Sequence, residues 1–364
     1  MNILVLTTEA FGGHGGIAQY NRDLLTALCS HPRVSSATAL VRLAPGALEP
    51  LPARLHFITE AAGSKRRFVR HAFKLASQQP FDLVICGHIN LLPIAYAVQL
   101  AVRAPMALVV YGIEVWQAPR SPLLRALAAQ LKSYISISHI SSTRFAEWAG
   151  FRNPSAFILP NAINLGEYGP GPRSVELARK YNLAGKKVLL TLGRMDAAER
   201  YKGFDEILDV MPQLLQEEPR LVYVAAGDGT DRARLMEKAH ALKLQDHVLF
   251  PGRIGLAEKA DLYRAADAFA MPGRGEGFGF VFLEALACGI PVVASTLDGS
   301  REAVREGMLG AMVDPDNQAH LKDALLKAIR QGPGLVPQGL HYFEFPGFEQ
   351  RTHAMVDALT QGAA

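Results

Sequence analysis

The stretch RGEGFGFVFLEALACGIPVVA, residues 274–294, decides the fold that we expect for this chain. It contains a glycine-rich turn at Gly275–Gly279, an apolar helical pattern over Phe280–Ala287 and an apolar strand pattern over Pro291–Ala294. A helix that leads directly into a continuously apolar strand is typical of a parallel sheet with helices on both faces. The stretch therefore predicts an α/β domain.

The same alternation of short apolar runs and longer helical patterns continues in both directions from this stretch. The other candidate strands are Ile3–Thr7, Ala37–Val41, Leu83–Cys86, Ala107–Tyr111, Tyr134–Ile137, Ala156–Leu159, Val188–Leu192, Leu221–Ala226, Val248–Phe250 and Ala268–Met271. The other helical patterns are Ile17–Cys29, Lys65–Ser77, Pro122–Lys132, Gly203–Leu215, Arg232–Ala241 and Ala257–Ala265. We therefore predict two doubly wound, Rossmann-like α/β domains that face each other across a cleft.

A proline- and glycine-rich segment, PNAINLGEYGPGPRS at Pro160–Ser174, interrupts this alternation and is typical of an interdomain linker. We place the first domain at residues 1–165 and the second at residues 166–345. Residues 346–364 hold a last helical pattern, which follows an irregular segment over Gln331–Pro346. We expect this helix to pack back toward the first domain.

Length and composition favour an intracellular protein. The 364 residues, 49% of them hydrophobic, suit two domains of ordinary size. The three cysteines lack metal-type spacing and favour a reduced compartment. The opening MNILVLTTEA lacks the basic flank and cleavage site of a signal peptide, and Ile89 to Val102 is too short for a membrane span. We expect a cytoplasmic protein, peripheral at most on the inner face of a membrane.

The positive charge of the chain is concentrated in its first half. Residues 1–168 carry 15 lysines and arginines against 8 acidic residues, whereas the whole chain has a net charge of only +4. This asymmetry fits an anionic partner such as a lipid surface or a phosphorylated acceptor, although a solvated basic surface gives the same count. No RNA- or DNA-binding motif accompanies the charge, so we expect no nucleic-acid partner.

Two glutamates frame the glycine-rich turn. Glu276 lies on the turn, where its carboxylate can accept hydrogen bonds from sugar hydroxyls, and Glu284 lies about one turn into the helix, where it can bind a pair of ribose hydroxyls. The helix start is an anion site, because its first backbone amides lack partners within the helix. The other predicted ligand-binding residues of this turn are Gly277, Phe278, Gly279, Phe280 and Val281. A strand–turn–helix with two surface glutamates is the alternative.

Two cations follow the first strand of the second domain, in LGRMDAAERYKGF. Arg194 lies at the carboxyl end of the strand, and Lys202 lies just before the next helix. Arginine offers a bidentate fork and lysine a point charge, so the pair can neutralise a diphosphate without a metal. An ordinary charged loop is the alternative.

The third motif is a glycine-rich turn, TEAFGGHGGIAQY, which follows the first strand of the chain. Gly15 and Gly16 open a helix there and can bring backbone amides close to a phosphate or a sugar. The turn is not GxGxxG, so a dinucleotide site is only weakly indicated, and a simple tight turn is the alternative.

Together these strings resemble family 4 of the glycosyltransferases. EGFGFVFLEALACGIPVVA, GR followed by KG, GDGTDRARL and LPNAINLGEY carry the resemblance, which covers most of the second domain. It implies a GT-B fold with acceptor binding in the first domain and nucleotide-sugar binding in the second. It also implies retaining, metal-independent transfer with no cofactor, from a UDP- or GDP-sugar to a glycan or lipid-linked acceptor in polysaccharide, lipopolysaccharide or glycolipid biosynthesis.

The resemblance also assigns roles to single residues. It places Glu276 on the donor sugar, Glu284 on the ribose, Arg194 and Lys202 on the diphosphate, and Gly16 near the phosphate or sugar. The turn Gly252-Arg253-Ile254 would hold the base through its backbone, which puts Arg253 and Ile254 in the donor site.

The chain departs from the family in the first domain, where relatives carry an HGxE-like string. Here the string is Tyr111-Gly112-Ile113-Glu114, and a phenol titrates near pH ~10, so Tyr111 is no substitute for a histidine base. His88 and His139 are candidate substitutes, and we assign His88 to catalysis. A leaving phosphate oxygen can also take the acceptor proton, so Glu276 is assigned to positioning and charge stabilisation.

The helical pattern over Lys65–Ser77 combines basic and aromatic residues. Such a helix can lie on anionic lipid, and we assign that contact to Lys65, Arg66, Arg67 and Arg70. An amphipathic helix packed through Phe68 and Phe73 is the alternative. For the whole chain, a UDP-sugar 2-epimerase-like enzyme and a non-catalytic nucleotide-sugar binder also stay open.

Overall fold

The structure is a computed structural model that describes residues 1–361. Its internal contacts divide the chain into two compact units. One comprises Met1–Ala162 together with the segment that begins at Phe345, and the other is Ile163–Glu344. The limits predicted from the sequence lie within three residues of this division.

The first unit is built on a seven-stranded parallel sheet with the order β3-β2-β1-β4-β5-β6-β7. Its strands are β1 Asn2–Thr7, β2 Ser36–Val41, β3 Leu55–Ile58, β4 Leu83–Cys86, β5 Met106–Val110, β6 Ser133–Ser136 and β7 Ser155–Ile158. Its first helices are α1 Gly16–Ser30, α2 Lys65–Gln78, α3 Leu92–Val102, α4 Ile113–Trp116, α5 Pro122–Ala128 and α6 His139–Ala149. The central strands β4 and β5 read as unbroken apolar runs because helices cover both of their faces.

The second unit is built on a six-stranded parallel sheet with the order β10-β9-β8-β11-β12-β13. Its strands are β8 Lys187–Leu192, β9 Leu221–Ala226, β10 Val248–Gly252, β11 Ala268–Ala270, β12 Val292–Ser295 and β13 Ala311–Val313. Its helices are α7 Val175–Lys180, α8 Phe204–Glu217, α9 Arg232–Ala241, α10 Leu256–Arg264, α11 Phe280–Ala287, α12 Ser300–Ala303 and α13 Gln318–Gln331. Two Rossmann-like sheets are therefore confirmed.

Several local predictions need correction. The helix predicted over Pro122–Lys132 ends at Ala128. Beyond it the Gln130 amide donates to the Leu127 carbonyl oxygen and the Leu131 amide to the Ala128 carbonyl oxygen, and these turns direct the chain into β6. The segment predicted to be irregular over Gln331–Pro346 contains a 3₁₀ helix at Gln338–Phe343.

Some elements were not predicted at all. The edge strand β3 was missed because most of its residues are only half-buried, so its apolar pattern is weak. The helices α3, α4, α6, α7, α12 and α13 and the strand β13 were also missed. In residues 1–361 no helix is both long and apolar enough to cross a membrane.

The last helix, α14, spans Phe345–Gln361 and packs on α1 in the first unit. Phe348 is fully buried, and its ring meets Tyr20 of α1 edge-on at a centroid distance of 5.7 Å. An ion pair of 2.7 Å joins Asp357 of α14 to Arg33 just beyond α1. Residues 362–364 of the predicted C-terminal segment lie outside the described residues.

We predict that Phe348→Ala lowers the melting temperature by several degrees. A buried phenylalanine that is cut to alanine costs about 3–5 kcal/mol of unfolding free energy, because the cavity cannot fully close. Thermal melting followed by circular dichroism measures the change. The matched control is Phe73→Ala, since the Phe73 side chain is exposed on α2 and its loss should change the melting temperature little. Equal melting of the two variants would contradict the packing described for α14.

Candidate active site

The candidate site lies at the carboxyl ends of β8 and β11, which are neighbours in the second sheet. The chain leaves β8 toward β9 on one side, and β11 lies on the other side, so the strand order reverses at this point. Ligands of doubly wound sheets bind at such a switch point. Arg194 follows β8, and the loop Gly273–Gly279 follows β11. The two strongest sequence motifs therefore meet at the position where the fold binds ligands.

The loop after β11 is held against Tyr201, a residue that the sequence analysis did not single out. The Arg274 amide donates to the Tyr201 carbonyl oxygen at 2.8 Å. A Cβ atom at Gly275 would lie 2.2 Å from the Tyr201 ring, so only glycine fits there. Gly279 precedes α11 and has a φ of 95°, a backbone conformation that favours glycine, so glycine is required at this second position of the turn as well.

Lys202 and Glu276 form an ion pair with 2.9 Å between Nζ and Oε2. Both side chains are mostly buried. Burial opposes the charge on Lys202, but the attraction of Glu276 and the hydrogen bond to it outweigh burial and raise the pKa of the ammonium group. The sequence assigned these residues to two parts of one ligand, and the structure places them in direct contact.

Arg194 also has an internal acidic partner. Its guanidinium lies 2.6 Å from Oε1 of Glu199, which belongs to a 3₁₀ helix at Ala197–Lys202. Three quarters of the Arg194 side chain is exposed, whereas Glu199 is mostly buried. The second carboxylate oxygen of Glu199 is buried without a hydrogen-bond partner among the described residues. Glu199 was missed in the sequence, although it stands in the same ERYKG string as Lys202.

Glu284 is buried in α11 and is no surface glutamate. Three side chains donate to its carboxylate: Lys259 at 2.5 Å, Tyr263 at 2.7 Å and Tyr168 at 3.1 Å. Burial, followed by the charge of Glu284, raises the pKa of both phenols, which therefore remain neutral donors. An ionised carboxylate accepts about four hydrogen bonds, so one position stays free. To accept hydrogen bonds from both hydroxyls of a ribose, the Glu284 carboxylate would have to give up one of its three present donors.

The three donors around Glu284 were not predicted. Tyr168 lies in the segment that was assigned to the linker, and Lys259 and Tyr263 lie on α10. Their roles depend on tertiary contacts that the spacing along the chain does not display. Only Tyr168 had a usable signal, because it ends the family-like string LPNAINLGEY.

The start of α11 offers backbone groups to a ligand. No side chain caps this helix, and the Phe280 and Val281 amides are among the first amides, which lack partners within a helix. The Phe282 amide instead donates to the Gly279 carbonyl oxygen at 3.2 Å. The Phe278 ring is buried against Phe343, so this residue can contribute to a ligand only through its backbone.

The remaining predicted donor-site residues lie in two turns. Arg253 is exposed and Ile254 is half-buried in the turn that follows β10. In the first unit, Gly15 has a φ of 89° and precedes α1, which begins at Gly16. A Cβ atom at Gly15 would meet nothing within 4 Å, so its backbone conformation rather than crowding requires glycine.

His88 is oriented as a hydrogen-bond donor. Its Nδ1 accepts the Asn90 amide at 3.1 Å, so the proton of the neutral ring lies on Nε2. Burial lowers the pKa of His88, which favours this neutral form. To act as the predicted base, the ring would have to take a proton at Nδ1 and break its bond to Asn90. The geometry therefore favours a donor role for His88. The other candidate base, His139, lies at the exposed start of α6.

Tyr111 is a structural residue of the first unit. Its hydroxyl lies 2.8 Å from the Asn21 side-chain oxygen and 3.0 Å from the Gly87 carbonyl oxygen. Burial raises the pKa of the phenol far above its usual value. Tyr111 therefore joins the ends of β4 and β5 to α1 as a neutral group.

The helix α2 presents Lys65, Arg66, Arg67 and Arg70 as exposed residues, and these four residues form what we call the basic face. Phe68 points into the core and is fully buried, whereas Phe73 is 44% exposed. Packing of the helix through Phe68 and Phe73, the alternative to a lipid contact, therefore holds for Phe68 and not for Phe73. Among residues 1–361, no group of three or more His, Cys, Asp or Glu side chains could hold a metal ion.

A family model and several curated proteins match part of this chain. Residues 175–335 match the model of the family described as glycosyl transferases group 1. A phosphatidyl-myo-inositol mannosyltransferase of Mycobacterium leprae is 35% identical over 178 residues, 48% of this chain and 44% of that protein. A GDP-mannose-dependent alpha-(1-6)-phosphatidylinositol monomannoside mannosyltransferase of Mycolicibacterium smegmatis is 33% identical over 188 residues, 49% of this chain and 48% of that protein. The chain thus spans about half the length of the curated relatives it matches.

A solved structure extends the likeness to both domains. The crystal structure of HepE from Anabaena in complex with UDP-glucose has a TM-score of 0.76 and 19% identity, and it covers 98% of this chain and 100% of that chain. At this identity the likeness shows the fold alone, which confirms the predicted GT-B class. The chain therefore has a GT-B fold of two Rossmann-like domains, and its second domain matches the model of the glycosyl transferases group 1 family, which is compatible with the resemblance to family 4.

Proposed function

We propose that this chain is a retaining, metal-independent glycosyltransferase. It moves a hexose or N-acetylhexosamine from a UDP- or GDP-sugar to a glycan or lipid-linked acceptor. The observation that carries the proposal is the Lys202–Glu276 pair at the switch point of the second sheet, because it places a phosphate-binding cation beside a sugar-binding carboxylate. The family of the second domain supports the same reaction class.

The diphosphate would be bound by exchange of ion pairs. Arg194 and Lys202 each hold a carboxylate, Glu199 and Glu276 respectively. A diphosphate offers both cations stronger, multiply charged acceptors, so it can displace the two carboxylates. The exchange at Lys202 leaves Glu276 free to accept hydrogen bonds from the donor sugar. Two protein cations can in this way neutralise the leaving group without a metal.

Transfer then needs few chemical groups from the protein. The bond between the anomeric carbon and the diphosphate oxygen breaks, and the acceptor oxygen attacks from the same face. The acceptor hydroxyl proton passes to the leaving phosphate oxygen, so no protein base is required. Glu276 stabilises the positive charge that develops on the sugar. In this proposal His88 contributes its Nε2 proton as a hydrogen-bond donor.

The donor and acceptor classes are supported by the names of relatives. The Mycolicibacterium smegmatis protein is described as dependent on GDP-mannose, whereas HepE was crystallised with UDP-glucose, so both bases stay within the proposal. The relatives from both mycobacterial species are described as acting on phosphatidylinositol or its mannoside. A lipid-linked acceptor in glycolipid biosynthesis is therefore the setting that we favour.

We predict that Glu276→Gln abolishes transfer while nucleotide binding survives. Loss of one preorganised charge in an active site lowers turnover by roughly 10²–10³-fold. UDP and GDP should bind as well as before or more tightly, because Lys202 loses its competing partner. Turnover is measured with a panel of UDP- and GDP-sugars, and nuclear magnetic resonance of the product reports the anomeric configuration.

The matched control for this experiment is Glu258→Gln, which removes an exposed glutamate from an ion pair with Lys180 on the same domain. Its turnover should equal that of the wild type. Joint loss of transfer and nucleotide binding in Glu276→Gln would mean that this residue is misplaced. Conversion of a UDP-sugar without any acceptor would favour the epimerase-like alternative, and binding without turnover would favour a non-catalytic binder.

We also propose that the basic face of α2 contacts an anionic membrane surface on the cytoplasmic side. The four residues of this face are exposed on one helix, and the exposed Phe73 lies close to them in sequence. Basic residues near an anionic leaflet gain about 1 kcal/mol each, and an adjacent aromatic ring can enter the interface. The phosphatidylinositol acceptors named for the relatives agree with such a location.

We predict that reversal of the four charges of the basic face to glutamate lowers binding to phosphatidylserine vesicles by roughly tenfold or more. Three of the four substitutions place glutamate in the first turn of α2, where negative charge is favourable, so α2 should remain folded. Sedimentation with vesicles measures the bound fraction. The control variant reverses four exposed basic residues of the second domain, Arg179, Arg220, Lys243 and Lys327. Equal binding by the wild type and the basic-face variant would refute the membrane contact.

A further inference from the structure

We propose that Asp298 is a positioning residue that anchors the backbone of Glu276 and thereby directs the Glu276 carboxylate toward Lys202 and the donor sugar. Asp298 lies between β12 and α12, outside every motif that the sequence analysis singled out. The inference rests on the proposed function, because it gives Asp298 a role in the same site.

Both polar backbone groups of Glu276 are bound by this segment. The Glu276 amide donates to Oδ2 of Asp298 at 2.9 Å. The Glu276 carbonyl oxygen accepts the Gly299 amide at 2.7 Å. The two chain segments also touch, because a Cβ atom at Gly299 would lie 2.1 Å from the Gly277 carbonyl oxygen. The peptide that carries the predicted sugar-binding carboxylate therefore has a fixed position.

The other carboxylate oxygen of Asp298, Oδ1, is also hydrogen-bonded. It accepts the Ser300 amide at 3.0 Å and the Ser300 hydroxyl at 2.6 Å. The Ser300 hydroxyl oxygen in turn accepts the Ser295 amide at 3.0 Å, at the end of β12. Asp298, Ser300 and Ser295 are all fully buried. The loop around Glu276 is thereby tied to the sheet by a chain of buried hydrogen bonds.

A buried carboxylate in this place is costly. Burial raises the pKa of Asp298, and the donors that bind it in residues 1–361 are the uncharged groups of Glu276 and Ser300. Only a side chain with acceptors on both ends can bind both residues at once. Asparagine would turn one NH₂ group toward an N–H donor and lose one of the two anchors. The chemistry of the acid, rather than its size, is what the position requires.

The anchor at Asp298 complements the contact with Tyr201 on the other side of the loop. Arg274 and Gly275 rest against Tyr201, whereas Glu276 and Gly277 rest against Asp298 and Gly299. Two separate supports on consecutive residues restrict the direction in which the Glu276 side chain leaves the loop. Misplacement of a reacting group by about 1 Å can cost roughly 10²-fold in rate, so such support matters for turnover.

The test compares Asp298→Asn with the wild type. We expect turnover to fall by roughly tenfold or more, while the dissociation constants for UDP and GDP change by less than about threefold. Hydrogen exchange of the peptide that covers residues 274–279 should become faster, since the Glu276 amide loses its acceptor. Ser300→Ala removes only the hydroxyl that supports Asp298. It should also lower turnover while nucleotide affinity stays nearly unchanged, but the loss of turnover should be smaller.

The matched control is Asp323→Asn. The Asp323 side chain is 71% exposed, and its carboxylate pairs with the neighbouring Lys322 at 3.5 Å on α13, so it takes no part in holding the Glu276 loop. This variant should behave as the wild type.

Unchanged turnover in Asp298→Asn, or a parallel loss of turnover and nucleotide affinity, would overturn the positioning role. If Asp298→Asn does not fold, Ser300→Ala decides by the same two measurements. If the wild type transfers no sugar, the proposed function fails. Unchanged hydrogen exchange of residues 274–279 in Asp298→Asn and Ser300→Ala would separately overturn the anchoring of Glu276 by Asp298.

Discussion

The ion pair between Lys202 and Glu276 is the interaction on which the account of this site depends. It connects the segment that precedes α8 to the loop that follows β11, and it lies where the strand order of the second sheet reverses. Two opposite charges that are largely removed from water stabilise each other, and each also has a second use. The ammonium can bind a phosphate and the carboxylate can bind a sugar hydroxyl, so a donor that replaces the pair satisfies both groups at once.

Neighbouring residues fix the geometry of the Lys202–Glu276 pair. Tyr201 and Asp298 hold the loop of Glu276 from two sides, and Glu199 holds Arg194 near the end of β8. At the other end of the predicted donor, Glu284 is already bound by three donors. The acidic residues of the site are therefore preorganised by the protein before any ligand arrives. Binding becomes an exchange of partners rather than the burial of bare charges, which would be far more costly.

Much of this arrangement could be predicted from the sequence. Arg194, Lys202, Glu276 and Glu284 were found because they lie in turns and helix starts directly after apolar strands, where local spacing determines position. Lys259 and Asp298 were missed because their roles depend on contacts between distant segments. Glu199 was missed although its partner Arg194 lies in the same loop. The fold shows the same limit: the buried strands of both sheets were predicted, but the half-buried edge strand β3 was not. Phe68 and Phe73 lie on one predicted helix, and only packing shows that one is core and the other exposed.

The measurement that tests the central claim most directly is calorimetric titration of UDP and GDP in the presence of EDTA. Two charge-assisted contacts are worth about 1.5–3 kcal/mol each, so the Arg194→Met/Lys202→Met double variant should lose roughly 100-fold or more in affinity. Arg253→Met is the control, since Arg253 is assigned to the base through its backbone and should bind normally. The account predicts that the wild type binds one of the nucleotides in EDTA and that the double variant does not. Binding that requires a divalent metal, or that survives the loss of both cations, would contradict it.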